Sequence, residues 1–209
     1  MKIKFALSAG LVLLSGLGLA FAAAPGKTIT PAVSQEDAKT RDYKDILFKL
    51  VRQDEYLDEA METLDGANGR MRAHDLSAMG LSLKMIAGNL DRVAALNKTE
   101  FSSVQAGSMH ARYINTIFSY SSKVNRKAVK VSAVIGRMAA KYKKSAMRDA
   151  VSSRKNGIKV RGKKVRGKKL TQLLEERKAM DTLAADAKVL RAAARGVSAT
   201  SKWLYISAK

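Results

Sequence analysis

The residues equipped for chemistry are few. His74 and His110 are the only imidazoles and the chain has no cysteine. A nucleophilic triad or histidine-based acid–base pair needs an imidazole beside a nucleophile or carboxylate, and neither histidine sits in such a signature. His110 falls one step before Ile114 in a helical register and reads as a stripe or helix-end residue, while His74 adjoins a helix start. Met71 lies three residues before His74, and Met109 stands next to His110. Thioether and imidazole suit soft copper, but a dense Met-rich or His-rich tract is missing and Met is an ordinary core filler. Without thiols, disulfides, haem attachment and thiolate metal sites are excluded. Gly26-Lys27-Thr28 resembles the end of a phosphate loop, but the glycine that motif needs falls on Phe21. Asp54, Glu55, Asp58, Glu59 and Glu62 cluster within nine residues; they read as a solvated acidic face or one turned toward a basic helix rather than as a paired-acid site. Asn97-Lys98-Thr99 matches a glycosylation sequon. The sequence thus predicts a non-enzymatic protein, with no catalytic residue, metal ligand, cofactor or small-molecule substrate assigned.

Charge is the sharper signal. Residues 25–100 hold 11 Lys or Arg against 13 Asp or Glu, whereas residues 101–209 hold 26 against five. Within 123–169 there are 18 basic residues and one acid, Asp149, and the pentapeptide Val160-Arg161-Gly162-Lys163-Lys164 recurs as Val165-Arg166-Gly167-Lys168-Lys169. Such a density repels itself unless an anion is near. The polyanion-binding set predicted from sequence is Lys141, Lys143, Lys144, Arg148, Arg154, Lys155, Lys159, Arg161, Lys163, Lys164, Arg166, Lys168 and Lys169. Aromatic residues are scarce among them, which disfavours base stacking on single strands.

These side chains must be carried by helices. Both prolines, Pro25 and Pro31, precede the first amphipathic pattern, so nothing later forbids long helices. Ser34 and Asp37 read as a capping box before a helix with Tyr43, Leu47, Leu50, Leu57, Met61 and Leu64 on one face. Gly66-Ala67-Asn68-Gly69 ends it in a hairpin-like reversal. Asp75 caps a second helix (Leu76, Met79, Leu83, Ile86, Leu90, Val93) ending near Asn97, with Gly80 and Gly88 allowing close approach of another helix. Thr99 caps a third, in which Ile117, Ser121, Val124, Ala128, Val131, Ile135, Met138 and Tyr142 keep the rhythm to about residue 153. A basic flexible loop is predicted over 154–169, since glycine and clustered like charge oppose regular structure. Thr171 caps the last helix, and Trp203-Leu204-Tyr205-Ile206 is expected to dock on the others. The fold class is all-α: an antiparallel bundle of about four amphipathic helices, one of them long, over residues 34–209.

The N-terminus carries an address. Lys2 and Lys4 precede an apolar run from Phe5 to Ala24, and Ala20-Phe21-Ala22 supplies a small-x-small cleavage pattern. Residues 1–22 are read as a signal peptide cleaved after Ala22, residues 23–33 as an extended lead-in, and the destination as periplasmic or secreted. Three functions fit. The first is an exported protein that presents a basic arm to an anionic partner: envelope phosphate or polysaccharide, anionic lipid or nucleic acid. The second is an assembly protein of the cell envelope that self-associates through heptad surfaces. The third is a metal-handling or chaperone-like bundle.

Overall fold

The computed structural model describes residues 35–67, 71–101, 104, 106, 110–155 and 165–209. The expected leader, the lead-in, Ser34 of the expected cap and residues 156–164 of the basic loop lie outside them. Four helices pack against one another: α1 (Gln35–Gly66), α2 (Ala73–Phe101), α3 (Ala111–Lys155) and α4 (Val165–Ser207). No strand occurs among the described residues, and none of their helices is long and apolar enough to cross a membrane. The stripes meet in one core. Leu50, Leu57, Leu76, Leu83, Leu90, Ile117, Val124, Ile135, Leu183 and Leu190 are all fully buried. Spacing of three and four residues puts one face of each helix inward, and α1 adds Ile46 and Ala60 to the predicted set.

Each helix packs on two others: α2 on α4, α4 on α3, α3 on α1 and α1 on α2. Contacts between α1 and α3 advance together along both chains, from Tyr43 with His110 through Asp54 with Lys123 to Met71 with Tyr142. Those between α2 and α4 do the same, from Gly80 with Asp186 to Asn97 with Ser201. Two of the packed pairs therefore run in the same direction, which a simple ring of antiparallel neighbours does not give.

Several boundaries differ from those predicted. α2 does not stop near Asn97, and Thr99 does not start α3: its hydroxyl donates to the Ala95 carbonyl inside α2 (3.2 Å). Asn97 is fully buried, and its amide donates to Ser201 Oγ at 2.8 Å and Thr200 Oγ1 at 3.3 Å. That partner, a hundred residues away, turns a helix-ending residue into an interhelical tie and leaves the sequon nitrogen inaccessible to a glycan. α2 begins two residues before Asp75, whose carboxylate accepts the Arg72 N–H (3.4 Å) and suits the helix dipole from the first turn. Val165–Lys169, assigned to the loop, already belong to α4, so Thr171 is not its cap; α4, at 43 residues, is nearly as long as the 45-residue α3. The cost of one helical glycine, about 1 kcal/mol, is not enough at Gly167 to stop it.

The two glycines of α2 also separate. A Cβ on Gly80 would stand 2.8 Å from Asp186 Oδ2, so this glycine admits the α4 carboxylate, which also pairs with Lys84 at 3.4 Å. Gly88 is exposed with nothing near it, and no helix uses its missing side chain. At the C-terminus Leu204 is buried and Tyr205 stacks on Phe118 (centroids 5.1 Å apart), but Trp203 and Ile206 face solvent, against the expectation that all four would dock.

Candidate polyanion-binding face

The basic face is built on α3, and α1 fixes how α3 lies. Asp54, with only 8% of its side chain exposed, receives Lys123 Nζ on Oδ2 and Lys127 Nζ on Oδ1, both at 2.6 Å. Lys127 also reaches Asp58 Oδ2 at 2.6 Å. Burial alone would raise the Asp54 pKa, but hydrogen bonds from Lys123 and Lys127 and their positive charges outweigh it and hold the carboxyl below its ordinary range. Burial would lower the pKa of Lys127, and its bonds to Asp54 and Asp58 reverse that and raise it. The acidic cluster on α1 is thus partly an interhelical clamp, through Asp54 and Asp58, while Glu55, Glu59 and Glu62 are exposed.

At the opposite end of α1, Tyr43 is buried against the His110 ring, 5.3 Å between centroids. Its pKa is pushed up to about 12, by burial first and then by the Glu100 carboxylate that accepts its hydroxyl. Farther along α3, Tyr142 clasps the turn after α1: its hydroxyl accepts the Met71 N–H at 3.1 Å and donates to the Met71 carbonyl at 2.8 Å.

These contacts use two of α3's cations. Beyond them Arg126, Lys130, Arg137, Lys141 and Lys144 recur at intervals of four, seven, four and three, which places them within about 60° of one another around a helix advancing about 100° per residue. All five are exposed, as is Lys143. Among the described residues no carboxylate lies within ion-pair distance of any of the six. The stripe spans about 27 Å at 1.5 Å per residue.

Of the set named from sequence, the structure places Lys141 and Lys144 on this stripe, whereas Lys143 is exposed on a different side of α3, about 100° around the helix from Lys144. Arg148, Arg154 and Lys155 lie in the last turns of α3, and Arg166, Lys168 and Lys169 in the first turns of α4; their side chains lie outside the described residues. Lys159, Arg161, Lys163 and Lys164 lie outside them altogether. The sequence reading missed Arg126, Lys130 and Arg137, although their spacing against the core stripe was available. The copper set is not assembled: Met71 is buried whereas the His74 side chain is 93% exposed, and Met109 lies outside the described residues. No group of three or more His, Asp or Glu side chains that could hold a metal ion occurs among the described residues. Comparisons with protein-family models, curated proteins and solved structures returned no match.

Proposed function

We propose that this chain is an exported, non-enzymatic helical protein that binds an anionic polymer or surface through the outer face of α3 and the basic segment joining α3 to α4. One observation carries the reading. Tyr142 meets the α1–α2 turn at Met71, yet α3 runs on to Lys155. Thirteen further helical residues, about 20 Å, extend beyond that turn and lead toward residues 155–169, where the sequence is densest in cations. Five cations, Arg126, Lys130, Arg137, Lys141 and Lys144, with no ion-pair partner among the described residues, lead along α3 toward this extension, so a polyanion laid on the face meets a row of positive charge. Lys and Arg neutralise phosphate and sulfate or carboxylate groups alike, so the shared ligand chemistry is clustered anionic charge.

In this reading consecutive helices run antiparallel, so that α3 and α4 form a hairpin with the basic repeat at its tip. The short connection from Gly66 to Ala73 with the Asn89–Gln53 contact, and the Phe118–Tyr205 stack with the nine residues between Lys155 and Val165, support that geometry. The N-terminal charge, apolar run and Ala20-Phe21-Ala22 pattern support cleavage after Ala22 and delivery across a membrane. Self-association through the heptad stripe of α3 is disfavoured, because Ile117, Val124, Val131, Ile135 and Met138 are buried in the bundle.

The test replaces Arg161, Lys163, Lys164, Arg166, Lys168 and Lys169 with Gln and measures binding to duplex DNA, anionic vesicles and an acidic polysaccharide in parallel. Weaker binding at unchanged helix content supports the proposal, and the ligand losing most affinity identifies the class. Unchanged affinity for all three removes the basic segment from the function.

A further inference from the structure

α4 carries two apolar stripes where one suffices to hold it. Leu183, Ala187, Leu190, Ala194 and Val197 face the core. A second series, Ala185, Val189, Ala192, Gly196, Ala199 and Trp203, alternates steps of four and three on the outward side. Val189 is 54% and Trp203 63% exposed, Ala185, Ala192 and Ala199 are exposed and Gly196 is half-buried, and Ile206 continues the series in the open. Alternating three–four spacing is the seam of a coiled coil, and an exposed contiguous apolar face marks an interaction surface.

Charge selects the occupant. Lys188, Arg195 and Lys202 stand seven residues apart beside the seam, with Arg191 on the same side. Among the described residues none has a carboxylate within ion-pair distance. A second copy packed antiparallel, seam to seam, would set these cation rows against each other, and a parallel copy would leave them without a carboxylate partner. At one end a hollow of about 210 Å³ is lined by Asn97, Lys98, Thr200 and Trp203. We propose that the outer seam of α4 docks an amphipathic helix of a partner protein, apolar along its seam and acidic on its flanks, about 20 residues long to match the roughly 27 Å from Ala185 to Trp203. Small side chains let the two helices approach closely, Trp203 anchors one end, and the partner's acids meet the Lys188–Arg195–Lys202 row.

Trp203 is the only tryptophan, so its emission reads the seam directly. The full chain is titrated with a designed helical peptide bearing Leu and Ala at the seam and Glu on both flanks. Two comparison probes are the same peptide with Lys flanks and polyglutamate. The expected result is a saturable blue shift with the Glu-flanked peptide, binding at least about tenfold weaker for Lys flanks, and no blue shift with polyglutamate. Val189→Asp, at an exposed position, should abolish the shift with helix content unchanged, and Lys188→Glu with Arg195→Glu should exchange the preference for Glu and Lys flanks. Absence of a shift at about 100 µM peptide, an equal shift with polyglutamate, or indifference to both variants overturns the proposal. So does a free chain that is already a dimer and that Val189→Asp dissociates, since that assigns the seam to a second copy.

Discussion

Replacing Asp54 with Ala removes the carboxylate on which α1 and α3 converge. Breaking a buried ion pair costs about 3–5 kcal/mol, because the partner charge stays behind without its counterion. Here Lys127 keeps Asp58 at 2.6 Å, and half of the Lys123 side chain is already exposed to water. The cost is therefore nearer 2 kcal/mol, by the weaker value of exposed pairs. For a domain of this length each kcal/mol shifts Tm by about 2–4 °C, so the variant should melt about 4–8 °C lower by circular dichroism. The sign of the pH dependence follows from the lowered pKa of Asp54. A depressed carboxyl stabilises the fold fully above its unfolded value, about 3.9, and loses that contribution as pH falls through the lower folded value. The Tm gap should hold steady near neutrality and close in acid. Asp54→Leu combined with Lys127→Met should recover most of the loss, since apolar replacement of a buried pair is often neutral. A fall of less than about 1 °C for Asp54→Ala, or a gap that persists in acid, would refute the clamp as what fixes α3 against α1.

Other perturbations read other parts of the fold. Leu83→Asp or Ile135→Asp puts an unpaired charge at a fully buried position and should abolish the cooperative helical melt. Gly80→Ala should destabilise by about 1–3 kcal/mol through overpacking against Asp186, whereas Gly88→Ala, with open space around it, should stabilise by up to about 1 kcal/mol; urea titration of both separates the two glycines. Tyr43, raised to about 12, contributes stability that is complete below its unfolded value of 10.0 and disappears as pH rises through 12. Tyr43→Phe should therefore move alkaline unfolding, followed by helix signal, to higher pH.

The periodic face of each helix was legible in the sequence because burial is decided locally: the stripe from Leu76 to Val93 and that from Ile117 to Met138 are buried as their spacing predicted. Endings were less legible where a distant partner decided them. Asn97 reads locally as a stop, and only Ser201 and Thr200 across the interface make it a helical residue. Gly80 and Gly88 look equivalent along the chain, yet only Gly80 faces another helix. On α4 the core stripe and the outward seam share the same periodicity, so the second was hidden beneath the first. The α3 cations were read as composition; their spacing already put Arg126, Lys130, Arg137, Lys141 and Lys144 on one side of the helix, but that Lys123 and Lys127 are turned toward Asp54 and Asp58 depends on how α1 lies against α3.

The exposed α3 face makes the most direct claim, and a salt series on duplex DNA tests it. Each engaged cation contributes about 0.9 to the slope of log K against log salt. Arg137→Gln, Lys141→Gln and Lys144→Gln together should weaken binding and flatten that slope by about 2.7, with the melting curve unchanged because all three side chains are exposed. An unchanged slope and affinity in the triple variant would contradict the account and take polyanion binding away from this face.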